Sequence, residues 1–136
     1  DNISSRENYI LDVYDSILLK DIVDRLKITD ITTFNKILQY VLETETREFS
    51  TSNVLEFLER NNNKIANDTL YKYLDALCTT FIVNRVYRYD INGKNVLKSL
   101  NKFYATDLGV KKIKTNSRKT NYSQAFENII YNELIL

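Results

Sequence analysis

The residues with the clearest chemical potential are five cations in one short stretch of the chain. Between residues 85 and 102 there is one acid, Asp90, against Arg85, Arg88, Lys94, Lys98 and Lys102. Cations of this kind bind phosphates, and each contact adds affinity that is independent of base sequence and weakens with salt. The pattern predicts an anion-binding surface, with duplex DNA of low sequence specificity as its partner.

A second set of candidate contacts lies on the helix just before these cations. Within "NDTLYKYLDALCTTF" the helical spacing predicts a buried face formed by Leu70, Leu74, Leu77 and Phe81. The opposite side of the same helix would face a bound duplex, as the second helix of a helix-turn-helix does. The residues expected closest to any bases are therefore Thr69, Lys72 and Tyr73.

The segment after this helix has the composition of a β-hairpin. "FIVNRVYRYD" is rich in β-branched and aromatic residues, and Asn92-Gly93 predicts a two-residue turn with positive φ angles. "KNVLKSL" then returns as the second strand, and "KFYAT" is a candidate third strand. Two short helices followed directly by a hairpin predict a winged helix, in which the hairpin is the wing.

Two more helical stretches precede this unit, whose own first helix follows Ser50. Residues 9–28 carry apolar side chains every fourth position, which predicts one long helix or two helices with a kink. Asp30 or Thr32 can cap the next helix, and Ser50 can cap the short helix after it. Asn67 can cap the helix that contains Leu70 and Leu74. The predicted fold class is mostly α with a small β-hairpin wing: a winged helix-turn-helix with an additional N-terminal helical region and a C-terminal helix.

The expected domain organisation has three parts. Residues 1–48 form the N-terminal helical region, residues 49–106 the winged helix-turn-helix, and residues 107–136 a basic linker followed by a C-terminal helix. The apolar fraction of 43% and the charged fraction of 27% are those of a globular protein. No apolar run approaches the ~18 residues of a membrane span, so no membrane partner is expected.

The sequence excludes several chemistries. With one cysteine, Cys78, and no histidine, neither an internal disulfide nor a common zinc site can form. No histidine or paired-carboxylate cluster is available to activate a nucleophile, so we expect no catalytic, metal or cofactor site and no enzymatic activity in this chain. The absence of disulfides and of a secretory leader predicts a reducing, cytoplasmic setting.

Several ordered blocks of the chain resemble a known family. "YILDVYDSILLKDIVDRLKI", "FSTSNVLEFL", "DTLYKYLDAL", "FIVNRVYRYDINGK", "KFYATDLGV" and "AFENIIYNEL" are similar to the region after the ATPase domain in predicted prokaryotic AAA-type ATPases. The resemblance implies a P-loop ATPase upstream and a restriction-nuclease-like domain downstream as partners in the same polypeptide. It also implies that residues 107–136 contain the start of that nuclease-like domain, truncated here.

The flanking activities are not expected within this chain. No G-x-x-x-x-G-K-[ST] phosphate-binding loop occurs, and Gly93 and Gly109 are the two glycines. The resemblance makes Glu127 and Glu133 candidate members of a nuclease metal site that would be completed beyond Leu136. The alternative is that both glutamates have no metal-binding role and are solvent-exposed residues of an amphipathic helix. Since the chain has no methionine and stops within an apolar pattern, both ends are expected to be cut.

Two functions remain open from the sequence. Residues 1–60 carry 7 cations against 12 acids, whereas residues 61–136 carry 12 cations against 6 acids. The basic second half favours a module that binds DNA through its wing. The acidic first half of the chain favours a module that docks the ATPase against the nuclease-like domain or another subunit without touching DNA. Asp68 and Asp75, on the second helix of the predicted helix-turn-helix, favour the same function. The sequence does not fix the oligomeric state.

Overall fold

Helices dominate the architecture. The computed structural model describes residues 2–14, 16, 20–115 and 121–135, which form seven helices and two antiparallel strands. The elements in chain order are α1 (Asn2–Val13), α2 (Lys20–Leu26), α3 (Ile31–Glu43), α4 (Thr51–Arg60), α5 (Asn67–Thr79), β1 (Val83–Asp90), β2 (Asn95–Ala105), α6 (Leu108–Lys114) and α7 (Tyr122–Ile135). The predicted mostly helical fold with one β-hairpin is confirmed at that level.

Side chains cap the two helices in the middle of the chain, as the sequence predicts. Asp30 precedes α3, and its Oδ1 accepts a hydrogen bond from the backbone N–H of Thr33 (3.0 Å). Ser50 precedes α4, and its Oγ accepts one from the N–H of Asn53 (3.4 Å). These acceptors satisfy donors that the first turn of a helix leaves free.

The predicted cap of α5 is wrong. Asn67 is the first residue of the helix, and the capping position belongs to Ala66, which offers no side-chain acceptor. The preceding asparagines hold the connection instead, because Asn62 adopts a left-handed φ of 57°. Asn63 also donates to the hydroxyl of Thr33 in α3 (2.8 Å).

The hairpin is longer than the sequence suggests. β1 pairs with β2 from Val83↔Ala105 to Asp90↔Asn95, with a bulge after Tyr87. The turn therefore contains four residues, 91–94, and the positive φ is at Lys94 (50°), with none at a glycine. The predicted two-residue turn at Asn92-Gly93 is wrong, and "KFYA" continues β2 rather than forming a third strand.

A short segment after α3 pairs with the other edge of β2. The N–H of Thr46 donates to the carbonyl of Phe103, and the N–H of Phe49 donates to that of Asn101, both at 2.9 Å. Phe49 and Asn101 form an isolated β-bridge. β2 therefore lies between β1 and this segment.

One hydrophobic core joins the helices to the hairpin. It extends from the end of α1 to the end of β2, and its fully buried side chains include Phe34, Ile37, Leu38, Leu58, Leu74, Leu77 and Phe103. Burying a side chain of this size stabilises the fold by ~1.5–3 kcal/mol. The predicted division into three parts is not tested by this packing and stays a prediction.

Candidate functional site

The outward side of α5 presents few groups to a nucleic acid. Lys72 is exposed and Thr69 is half-buried, but Tyr73 is 4% exposed and packs edge-on against Phe34, with ring centroids 5.6 Å apart. The Tyr73 ring lies three residues after Leu70, on the core side of the helix, so it is not placed to reach a base. Asp68 and Leu26 of α2 line a shallow cleft beside Lys72.

The first predicted cation of the hairpin faces inward. Nη2 of Arg85 lies 2.9 Å from Oδ1 of Asp75, and the Arg85 side chain is 12% exposed. Nη2 nevertheless has no directed hydrogen bond, which makes this contact an ion pair of imperfect alignment. The Arg85 guanidinium also lies over the Phe103 ring, 5.4 Å from its centroid. Arg85 therefore stabilises the contact between α5 and the hairpin and is not placed to grip a phosphate.

Two more of the predicted cations have carboxylate partners in the same chain. Nη1 of Arg88 lies 3.3 Å from Oε1 of Glu48, with both side chains exposed. Nζ of Lys102 donates to Oε1 of Glu127 (2.9 Å), and both are partly exposed. Of the remaining two, Lys94 is exposed in the turn, while the side chain of Lys98 lies outside the described residues.

Glu127 has a structural role in the described contacts. Its Oε1 accepts hydrogen bonds from Lys102 and from the hydroxyl of Tyr104, both at 2.9 Å. The hydrogen bond from Lys102 is the main reason that the pKa of Glu127 lies below its usual value. Glu133 is exposed on the same helix. Among the described residues no group of three potential metal ligands comes together.

Cys78 lies near the end of α5, beside its buried face. It is half-buried, and burial raises the pKa of its thiol. A thiol with a raised pKa is a poor nucleophile at neutral pH.

Asn128 attaches α7 to the end of the hairpin. Its carboxamide accepts a hydrogen bond from the N–H of Ala105 and donates one to the carbonyl of the same residue, both at 2.8 Å. The carbonyls of Phe103 and Asn101, two and four residues earlier, accept from the segment after α3. Because alternate residues of a strand bond to the same side, Asn128 continues that edge pairing with a side chain in place of a backbone.

A buried ion pair supports the same junction. Glu45 is 1% exposed, and its Oε1 pairs with Nζ of Lys111 in α6, while its Oε2 accepts from the N–H of Ala105 (3.2 Å). Gln124 of α7 donates to the backbone carbonyl of Glu45 (3.2 Å). Segments that are distant in sequence thus meet through hydrogen bonds at Ala105.

The side of α7 that faces the protein is mainly polar. Besides Asn128, Gln124 and Glu127, it includes Asn132, whose Nδ2 donates to the carbonyl of Ala105 (3.1 Å). One aromatic contact accompanies them, a stack of Tyr131 on Tyr104 with centroids 4.0 Å apart. Burial of Tyr104 and its bond to Glu127 raise its pKa to about 12.

The side of α7 that faces the solvent is largely apolar, with Glu133 among its exposed residues. Phe126 is 67% exposed and Leu134 is 79% exposed. We call this surface the outer face of α7, formed by Tyr122, Phe126, Ile129, Ile130 and Leu134. Since a surface helix ordinarily turns its apolar side to the core, α7 is inverted.

Sequence reasoning missed Glu45, Lys111 and Asn128, the residues that build this junction. Each lies more than twenty positions from the residues it bonds, so no local pattern predicts the contact. The pattern of α7 is a weak signal, because its polar and apolar residues segregate only in part, and it does not tell which side faces inward.

The fold and these surfaces define a mostly helical protein with a β-hairpin and one inverted helix. The chain belongs to the DUF8612 family, a domain of unknown function, whose model matches residues 1–121. An uncharacterized protein of Haemophilus influenzae (strain Rd) is 28% identical over 130 residues, which cover 96% of this chain and 32% of the relative. The chain therefore spans about a third of the curated relative that it matches. No solved structure matches it.

The described helices are not suited to a bilayer. None of them combines the length and the apolar composition that crossing a membrane requires.

Proposed function

We propose that this chain is a winged-helix connecting module of a larger protein, and that α7 joins it to the domain that follows. In this proposal the module binds the polar side of α7, while the following domain covers its outer face. The chain itself is not an enzyme, and activity belongs to the flanking domains of a cytoplasmic protein.

The observation that carries this proposal is the inversion of α7. Five large apolar side chains on one helix face form a surface that a monomeric soluble protein rarely leaves uncovered. The opposite side is fixed by directed hydrogen bonds, of which the two between Asn128 and Ala105 are fully buried. A helix held in this way presents its apolar side at a defined angle, as a connecting element requires.

The comparisons support the choice of the following domain as the occupant. The family match ends at residue 121, and α7 begins at Tyr122. The match to the Haemophilus influenzae relative covers 96% of the chain, which is too long to end before α7, and two thirds of the relative lie outside it. The end of the family match favours α7 as the first helix of a further structural unit, and the greater length of the relative leaves room for such a unit.

The order of elements supports a winged helix. α3, the paired segment 46–49, α4, α5 and the hairpin follow one another as the helices and strands of that fold do. The resemblance to AAA-type ATPases supports an ATPase before the module and a nuclease-like domain after it. The winged-helix module and α7 would then transmit motion between the ATPase and the nuclease-like domain.

The connecting function can be tested by replacing Phe126 with Asp. In the full-length polypeptide, Phe126→Asp should split one cooperative thermal transition into two, because a buried carboxylate at the interface would uncouple the domains. In the 136-residue chain the same change should leave stability within about 0.5 kcal/mol, since the ring is exposed. Calorimetry of both proteins measures the two effects.

The matched control is Ile91→Asp in the hairpin turn, where the side chain is also exposed. It should leave the full-length transition single. A single transition in the Phe126→Asp protein would contradict the connecting function.

A second candidate function is binding of duplex DNA, and the exposed cations favour it. Lys72 and Lys94 have no ion-pair partner among the described side chains, and Arg88 is paired across the surface, where such pairs contribute ~0–1 kcal/mol and open easily. The inward positions of Tyr73 and Arg85, and the pairing of Lys102 with Glu127, reduce the predicted contact set. What remains is a weak, salt-sensitive contact of the wing with the phosphate backbone.

Charge reversal tests this candidate. Arg88→Glu together with Lys94→Glu should weaken binding of the chain to random-sequence duplex. It should also lower the slope of log affinity against log salt by ~0.9 for each phosphate contact removed. The control is Arg60→Glu with Lys64→Glu, which makes the same charge change at the last residue of α4 and in the connection that follows. Equal duplex binding by both double variants would exclude the wing contact.

A further inference from the structure

The corner between α5 and β1 holds an aromatic residue in an unusual conformation. α5 ends at Thr79, and Phe81 adopts a φ of 57°. The N–H of Ile82 donates to the carbonyl of Leu77, and the N–H of Phe81 to that of Cys78, both at 3.1 Å. These two bonds form a Schellman motif, in which the left-handed residue is usually glycine.

Phe81 is unfavourable at this corner in two respects. A side chain with a Cβ is strained at positive φ, and a bulky one is a genuine outlier there. The ring is also 75% exposed, although the sequence predicts it on the buried face of α5. That prediction is wrong because the helix ends before residue 81 and the left-handed turn directs the side chain away from the core. Neither the backbone nor the packing of the described residues accounts for an aromatic ring here.

The corner lies beside the attachment of α7. The carbonyl of Ile82, next to Phe81, accepts a hydrogen bond from the N–H of Thr106 (3.1 Å). Asn132 of α7 donates to the carbonyl of Ala105 (3.1 Å) and lies near that of Thr106 (3.4 Å). Phe81 and the C-terminal half of α7 are therefore at the same end of β2.

We propose that Phe81 is a second anchor, besides Phe126 on the outer face of α7, of the surface that receives the domain following α7. The inference rests on the connecting function proposed above and extends it to a residue outside α7. Exposed aromatic side chains at the centre of an interface carry much of its binding energy. Because the following domain is tethered through α7, its high effective concentration allows a small surface of this kind to suffice.

Hydroxyl-radical footprinting of side chains tests the proposal. The 136-residue chain and the full-length polypeptide are oxidised in parallel, and mass spectrometry reads the oxidation of Phe81, Phe126 and Tyr71. Both phenylalanines should be oxidised in the 136-residue chain and protected in the full-length polypeptide. Tyr71, exposed on the outward side of α5, is the control and should be oxidised equally in both.

The outcomes separate the two proposals. Protection of Phe126 without protection of Phe81 would overturn the second anchor and leave the connecting function in place. Protection of neither residue would overturn both. If Phe81 instead becomes protected in the 136-residue chain as its concentration rises, the occupant is a second copy of the chain, which also overturns the assignment.

Substitution of Phe81 by glycine gives an independent test. Phe81→Gly should raise the denaturation midpoint of the 136-residue chain, because glycine adopts the left-handed conformation without strain. The same substitution should weaken coupling between the domains in the full-length polypeptide. These opposite signs are the signature of an anchor. A lowered midpoint in the 136-residue chain would show that the ring supports this fold itself, and would overturn the proposal.

Discussion

Among the described side chains Glu45 is the buried carboxylate, and it links three separate parts of the chain. Burial raises its pKa above the ordinary 4.5, while the bonds from Lys111 and from the N–H of Ala105 oppose the shift. The ionised form is therefore tolerated at a cost in stability. A carboxyl group whose pKa is higher in the folded protein favours folding most when it is protonated, and this contribution is lost as the pH rises through the folded pKa.

Removal of the cation should expose that cost. In Lys111→Met the ionised Glu45 loses its partner, so the free energy of unfolding at neutral pH should fall by about 3 kcal/mol. The deficit should shrink as the pH falls through the raised pKa of Glu45, because a protonated carboxyl no longer requires a cation. Urea denaturation at neutral and mildly acidic pH measures both effects.

The control is the double variant Glu45→Gln with Lys111→Met, which removes both charges. It should be more stable than Lys111→Met at neutral pH, and the difference between the two should depend on pH. A Lys111→Met deficit that stays constant with pH would show that the pair does not act through the charge of Glu45.

At the scale of elements, α7 depends on hydrogen bonds where other helices depend on apolar packing. Asn128 is fully buried and bonds both backbone groups of Ala105. A polar attachment of this kind is directional, so it fixes the rotation of the helix about its axis. That rotation is what turns the outer face away from the core.

Asn128→Leu should detach α7 while leaving the core folded. The change removes two buried hydrogen bonds, which should lower the stability of the α7 junction by about 1–3 kcal/mol. The amides of α7 should exchange hydrogen faster, whereas those of α3 and β2 should keep their protection. Asn67→Leu at the exposed start of α5 is the control. Unchanged exchange in α7 would show that its position does not depend on Asn128.

Local chemistry explains which elements the sequence could predict. Asp30 and Ser50 are N-terminal caps because their acceptors reach a backbone N–H three residues later, a purely local interaction. The turn at 91–94 was predicted too short, since its length depends on the register with which β1 pairs to β2 and not on Asn92-Gly93 alone. A C-terminal helix was expected within residues 107–136, but neither its bounds nor its inward side followed from its pattern.

At the scale of the whole molecule, charges that are distant in sequence cancel one another. Arg88 meets Glu48, and Lys102 meets Glu127, across separations of 40 and 25 residues. Counting charges along the hairpin predicts a strongly basic surface, because these partners lie in other segments. The sequence could thus predict which cations the hairpin contains but not which of them are accessible to a ligand. The outer face of α7 is therefore a more distinctive surface than the hairpin.

The most direct test of the account is the solvent accessibility of the outer face of α7 in its full-length context. Glu133 is exposed on α7, and its replacement by cysteine in a Cys78→Ala background gives one thiol in this chain, whose labelling mass spectrometry of its peptide measures in either protein. We expect rapid labelling of this thiol in the 136-residue chain and severalfold slower labelling in the full-length polypeptide, where the following domain covers the outer face. Equal labelling rates in the two proteins would contradict it.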